Sequence, residues 1–506
     1  MSLHQGKWGS PVGQAEAIVG DHPRMTRVEW AGLITVLLIA IGARLVRLDA
    51  SLWYDEIFTV VNFVRLPTLD LIRTYDSFNN HMLYSLAAKL CVVLFGEHPW
   101  ALRLPAVIFG VSAIIVQWVI TRRLLGPWPA LVTALLLSLS YHHVWFSQNA
   151  RGYTGLLLWT SLATLAFVDG IARPSWRNWI GYGACAAIAM YMHLSAIFFL
   201  MAHGAVYLLL LASGGLHDRK ARIMPIWGAL IGGALTLAVY APILGEMIAT
   251  VQDVSTASSS SSGAALAEWR NPLRALQEVA ISVSAAGMFT PALVMGALIV
   301  LVAGVISLAK RDRVMTAIYV IHVPMAVILL SILSVRIWPR YFFVDIGFIM
   351  MAMVHGVFVL SAWIAPFIRI DRRWLTGAGV VAMLVVSVGL LSRNYSYPKQ
   401  DFIGARDYVL HAQHPSDAVV AVTLGGYAYR HYYAPRWMVA ESASELDRIR
   451  NGANTTWVLI AFPHMTALGQ PEVMTLLRHD FDKVADFPGT MGDGAIWVYR
   501  SRKPVV

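Results

Sequence analysis

Along this chain, apolar residues run in blocks of about twenty, broken by short polar turns, rather than alternating or recurring every third or fourth position. A helix rises ~1.5 Å per residue, so such a block is long enough to cross a bilayer's hydrocarbon core. Eleven blocks meet this pattern: Trp30 to Leu48, Ala101 to Ile120, Trp128 to Trp145, Gly155 to Ile171, Asn178 to Tyr191, Ser195 to Leu211, Ile223 to Tyr240, Val283 to Leu308, Val314 to Leu333, Phe342 to Trp363 and Leu375 to Leu391. A twelfth run, Met82 to Phe95, is shorter and contains Lys89, so it reads either as a span or as a helix lying in the interface. After Tyr395 the pattern becomes that of a soluble domain. Short β-rich runs (Ala418 to Thr423, Thr455 to Ala461, Ala495 to Tyr499) alternate with helical ones (Phe402 to His411, Ser444 to Arg450, Glu472 to His479), which predicts a small α/β domain with a mostly parallel sheet. Gly425-Gly426 reads as a turn.

Composition agrees. Of the 506 residues, 57% are hydrophobic and 13% charged, about half the charged share of a soluble domain. The net charge of +10 is therefore a matter of loop sidedness and gives no reason to expect a nucleic-acid partner. If Met82 to Phe95 lies flat, five basic clusters (Arg122/Arg123, Arg173/Arg177, Arg219/Lys220/Arg222, Lys310/Arg311/Arg313, Arg369/Arg372/Arg373) share one side of the membrane; if it spans, all five switch to the other. The positive-inside rule selects the flat arrangement. It predicts a cytoplasmic tail over 1–29, a membrane domain over 30–392 with outer loops 49–95 and 242–282, and an outward domain over 393–506. In a bacterium this is a multi-pass inner-membrane protein with a periplasmic C-terminal domain. Pro242 to Ser282 carries the run Ser258 to Ser262 and reads as a loose loop or a lid over substrate. The two cysteines, Cys91 and Cys185, lie far apart in apolar surroundings, so neither a disulfide nor a cysteine-bound metal is expected.

Charged groups on the outward side with no role in orientation are costly and point to function. Asp55 and Glu56 follow the first span in LDASLWYDEIF, among Trp53, Tyr54, Ile57 and Phe58. An acid among apolar neighbours is a candidate general base, and Asp55 is the stronger of the two. Arg151 in SQNARGY is an outward arginine whose planar fork suits bidentate capture of phosphate. Arg336, Arg340 and Tyr341 in VRIWPRYFF extend the same argument. Tyr153, His81 in NNHMLY, Arg103 in ALRLP and His193 in YMHLS are further outward candidates for substrate contact. Asp55, Glu56 and Asp76 could offer oxygens to a divalent cation, but the arginines could neutralise a phosphate alone, so metal dependence stays open and no cofactor is assigned.

In this order WYDE, NNHMLYSLAAKL, YHHVWFSQNARGYTGLLL, YMHLSAIFFL and WPRYFFVDIGFIMMA resemble the bacterial family 39 glycosyltransferases. These are GT-C enzymes related to the protein O-mannosyltransferases and to the aminoarabinose transferase of lipid A. The resemblance covers roughly 30–365. It implies an all-α polytopic GT-C fold with interfacial helices in the first outer loop and a periplasmic active site using a sugar carried on a polyprenyl phosphate. Asp55 corresponds to the family's acidic residue in that loop, and Arg151 to its arginine in the SQxARxY turn. Asn149 stands where relatives often carry an acid, and NNHMLY where a double His with double Pro is usual. The expected function is transfer of a sugar to an envelope glycolipid, polysaccharide or protein. A flippase of lipid-linked sugars would need more charge within the spans, and a non-catalytic assembly subunit would leave Asp55 and Arg151 without a purpose.

Overall fold

In the computed structural model, which describes residues 24–75, 79–249, 290–332 and 337–502, the apolar blocks are helical over most of their described residues. Eight are long and apolar enough to cross a membrane: Arg27–Leu45, Pro99–Leu125, Tyr153–Ala172, Arg219–Ala249, Thr290–Arg311, Arg313–Ile332, Pro339–Ile368 and Arg372–Ser396. The expected fifth and sixth spans are helices of 17 residues each, Trp176–Met192 and Ala196–Ala212. The expected span Trp128 to Trp145 is not one straight rod. It is the pair Pro127–Leu139 and Tyr141–Ser147, bent by 60° at Ser140, whose backbone is extended and whose hydroxyl accepts from the His143 N–H. The bend turns the second helix so that the Arg151 turn follows from it.

The outer faces of several helices remain apolar. Leu293, Leu298, Trp363, Phe367, Val381 and Val385 are exposed, as a helix surface solvated by acyl chains should be. Between helices, packing depends on small residues. A side chain at Gly304 would strike the Ala352 carbonyl, and one at Gly356 the Val300 carbonyl, so Thr290–Arg311 and Pro339–Ile368 cross with backbones nearly touching.

Ion pairs sort the loops by end. At one end Arg122 reaches Glu29 at 3.3 Å and Arg123 reaches Asp169 at 3.1 Å, while Arg311 donates to the Leu124 carbonyl. These are expected cytoplasmic groups. Both ends of Met82–Phe95 belong to the opposite end of the bundle. At its start the His81 ring accepts from the Gly152 N–H; just past its end Glu97 pairs with Arg65 of the same outer loop, and the Trp100 N–H meets Asp49. Lys89, the residue that made the run ambiguous, donates to the Val64 and Leu66 carbonyls of that loop. The sidedness has a direct test: reporter fusions after Arg313 and after Tyr395 should give opposite signals, cytoplasmic and periplasmic respectively, and matching signals would refute the arrangement.

The last span continues to Ser396, four residues beyond the expected edge of the membrane domain. The domain that follows is α/β, with strands β1 (Ala418–Val422), β2 (Met438–Ala440), β3 (Thr456–Ala461), β4 (Phe481–Phe487) and β5 (Ile496–Ser501) in the order β2-β1-β3-β5-β4. β2, β1 and β3 are parallel, while β5 and β4 run antiparallel to their neighbours, so the sheet is mixed rather than mostly parallel. Gly425 and Gly426 lie within the helix Thr423–Ala428 instead of a turn. One apolar core joins this domain to the first outer loop, with Leu52, Ile57 and Val60 packed in a cluster that includes Phe402, Tyr429 and Phe462. The Ser-rich part of Pro242 to Ser282 lies outside the described residues.

Candidate active site

Asp55 opens the short helix Tyr54–Thr59 directly after the first span, with Trp53 as its extended N-cap. Arg151 sits on the turn between Tyr141–Ser147 and Tyr153–Ala172, and Arg340 on the 3-10 turn Pro339–Asp345 ahead of the helix that ends at Ile368. Three elements far apart in sequence thus bring an acid and two guanidiniums together. Arg151 is 3.9 Å and Arg340 4.0 Å from the same Asp55 carboxylate oxygen. Asp55 keeps 19% of its side chain accessible and Arg340 32%, whereas Arg151 keeps only 4%. The separations exceed normal hydrogen-bond length, which leaves the carboxylate free to act on another group.

Around these three stand Tyr153, His81, His193 and Tyr341. The His81 and His193 rings meet edge to face at 4.4 Å, and both contact Tyr153; Tyr341 meets His193 at 6.5 Å. His81 Nδ1 accepts from Gly152 N–H at 2.8 Å and His193 Nδ1 from Ser195 N–H at 3.1 Å, which puts the proton of each neutral ring on Nε2. Burial, reinforced by Arg151, pulls the His81 pKa well below the usual imidazole range, and the same causes bring His193 down to about 3. Both imidazoles are therefore neutral donors at ordinary pH. Arg151 is steadied by Asn79, whose backbone carbonyl and side-chain oxygen both accept from it. Trp338 lies under the Arg340 guanidinium at 4.6 Å.

Glu56 and Arg103 have a different place. Glu56 is fully buried and accepts from Arg103 Nε at 2.8 Å and Nη2 at 2.6 Å, from the Ala150 N–H at 2.7 Å and from the Trp53 N–H. Burial pushes the Glu56 pKa up, but the Arg103 guanidinium, with help from Lys399 and the Ala150 N–H, holds it below the ordinary carboxylate range. Arg103 spends its remaining N–H bonds on the Leu48, Ala50 and Ser51 carbonyls. All five of its donors are occupied, so none is left for a substrate, and Glu56, fully paired, has no oxygen to spare for a proton. Glu56 and Arg103, expected as a base and a substrate contact, are paired with one another in this structure. The pair fastens the end of the first span to the residue before Arg151, and so frames the site without entering it. Asn149 accepts from the Trp53 indole at 3.0 Å in the same frame.

Sequence reasoning missed Asn79, Lys399 and Gln400. Asn79 is one residue from the Asn80-His81 pair that did stand out, but Asn80 instead bonds Thr74 and Ser85. Lys399 and Gln400 belong to a segment that reads as an ordinary soluble linker. Arg336 and Asp76 lie outside the described residues. Among the described residues no group of three or more His, Cys, Asp and Glu side chains stands close enough to hold a metal ion. Asp55 stands between two guanidiniums, a setting that draws an anion such as phosphate.

Residues 81–245 match the family model described as dolichyl-phosphate-mannose-protein mannosyltransferase. No curated protein matches the chain by sequence. Among solved structures, the apo form of ArnT from Cupriavidus metallidurans superposes with a TM-score of 0.52 at 14% identity, covering 93% of this chain and 97% of that one. The archaeal oligosaccharyltransferase AglB from Archaeoglobus fulgidus, in complex with an inhibitory peptide and a dolichol-phosphate, superposes with a TM-score of 0.52 at 13% identity, covering 90% and 72%. The chain thus shares the polytopic fold of these two membrane proteins, and about a third of it matches a mannosyltransferase family model.

Proposed function

We propose that this protein transfers a sugar from a polyprenyl-phosphate donor to a hydroxyl of an envelope glycolipid, polysaccharide or protein, at the periplasmic face of the bacterial inner membrane. The observation that carries this is the Asp55 carboxylate set 3.9 Å from Arg151 and 4.0 Å from Arg340, at the loop end of a membrane bundle. The dolichol-phosphate held by the archaeal protein of the same fold supports a lipid-phosphate donor.

Asp55 accepts the acceptor's hydroxyl proton as its oxygen attacks the anomeric carbon, and the bond from that carbon to the phosphate oxygen breaks with its electron pair passing to the phosphate. Arg151 and Arg340 stabilise the charge growing on the departing lipid phosphate, joined by the neutral His81 and His193 and the Tyr153 and Tyr341 hydroxyls. One carboxylate beside the acceptor, with no second nucleophile opposite it among the described residues, favours inversion at the anomeric carbon. The flippase reading is disfavoured because the expected spans are almost free of Asp, Glu and Lys.

Arg151 tests the phosphate role. Arg151→Lys keeps the charge but loses the planar fork that Asn79 orients. Turnover should fall by about 10²-fold, the scale of one lost donor to a developing anion, while the protein stays folded. Unchanged turnover in a purified-protein assay would return Arg151 to a role at the lipid headgroups.

A further inference from the structure

Two residues at the entry of the α/β domain, Lys399 and Gln400, hold the loops that carry Asp55 and Arg151. Gln400 is fully buried. Its side-chain oxygen accepts from the Tyr54 N–H at 2.9 Å, and its backbone carbonyl accepts from the Ser51 hydroxyl at 2.6 Å. Tyr54 immediately precedes Asp55, so this bond fixes the first turn of the helix that aims the carboxylate. Lys399 is 8% exposed. Its ammonium donates to the Gln148 carbonyl, three residues before Arg151, and lies over the Trp145 ring at 5.3 Å. One residue thus grips the acid's loop and its neighbour the arginine's loop.

The domain in turn fixes the linker. Thr490 N–H donates to the Pro398 carbonyl, and the Thr490 hydroxyl accepts from the Trp145 indole at 3.2 Å. A side chain at Gly489 would collide with the Lys399 carbonyl, and one at Gly494 would come nearly as close, so the segment 489–494 lies directly against the linker backbone. The same domain holds the acid's loop from its other face: Tyr433 donates to the Leu52 carbonyl at 3.0 Å, Asn62 donates to the Tyr427 hydroxyl at 2.8 Å, and the Tyr54 ring meets Phe462 at 5.7 Å.

We propose that Lys399 and Gln400 are positioning residues for the transfer reaction, and that through them the C-terminal domain sets the separation between the Asp55 carboxylate and the Arg151 guanidinium. The proposal rests on the catalytic reading of Asp55 and Arg151. An acid and a phosphate clamp carried on separate loops need a common reference, because a misplacement near 1 Å costs about 10²-fold in rate.

The test uses the purified full-length protein and measures kcat and donor KM per folded molecule, with Tm alongside. Gln400→Leu removes the acceptor for Tyr54 N–H and should lower kcat by about 10- to 100-fold with donor KM little changed. Lys399→Met keeps the length but loses the bond to Gln148, and should raise donor KM by about 10-fold, the scale of one hydrogen bond made by a charged group. Gln400→Glu retains the accepting oxygen and should recover most of the kcat. Should Gln400→Leu fail to fold, Ser51→Ala removes only the bond to the Gln400 carbonyl and should still lower kcat. If both principal variants keep wild-type kcat and KM while only Tm falls, the domain merely stabilises the fold and the proposal is wrong. Asp55→Asn run in parallel separates the two readings. Full turnover in that variant overturns the catalytic reading itself, whereas a dead Asp55→Asn beside normal Lys399 and Gln400 variants overturns only the positioning role.

Discussion

Replacing Asp55 by Asn is expected to lower turnover by roughly 10²- to 10⁴-fold, the contribution of a lost general base, while leaving the fold and donor affinity intact. The substitution keeps the side chain's size and one accepting oxygen, and the Asp55 carboxylate stands 3.9 and 4.0 Å from Arg151 and Arg340, beyond hydrogen-bond length, so little structure depends on its charge. Donor binding should survive or improve, because a negative charge beside two phosphate-binding guanidiniums is removed. The measurement is a turnover assay paired with a binding assay using polyprenyl phosphate. Normal turnover by the Asn variant would reduce Asp55 to a helix cap.

Glu56→Gln should look like the opposite kind of mutant, although the two acids are adjacent. Its carboxylate is paired with Arg103 with both side chains almost fully buried, and removing one charge of a buried pair typically costs about 3–5 kcal/mol because the other is left uncompensated. Thermal unfolding in detergent should shift sharply downward, and the fraction that remains folded should lose activity through displacement of the Arg151 turn, since the Ala150 N–H also bonds Glu56. A variant as stable as the parent but inactive would make Glu56 the base, and the assignment would be off by one residue.

The contrast between these neighbours shows where the sequence is legible and where it is not. Hydropathy reveals the spans because each is a local property, and loop charge then sorts their ends. Asp55 and Arg151 stood out because each is a charge on the outward side with no part in setting orientation. Glu56 and Arg103 carried the same mark, but what separates frame from reaction is the pairing of residues 47 positions apart, which no spacing rule announces. Lys399 lies in a stretch that looks soluble, and its burial comes only from the docking of two domains. The bend at Ser140 was hidden for a related reason: apolar character continues straight through it, while the break is backbone geometry. In the sheet, β2 has three residues, too few to show a period, and β4 carries Asp482, Lys483 and Asp486 on a strand at the sheet's edge, where charge is a protection against further pairing.

The central claim is that the Asp55 cluster drives displacement of a lipid phosphate from a sugar. The direct measurement is release of polyprenyl phosphate, followed by mass spectrometry, when purified protein is mixed with lipid-linked sugars and envelope acceptors extracted from a strain lacking it. The wild type should liberate polyprenyl phosphate in step with glycosylated acceptor of inverted anomeric configuration, and Asp55→Asn should bind polyprenyl phosphate yet release almost none from the sugar-linked form. Equal release by the two proteins, or a product that retains the donor's configuration, would contradict the account.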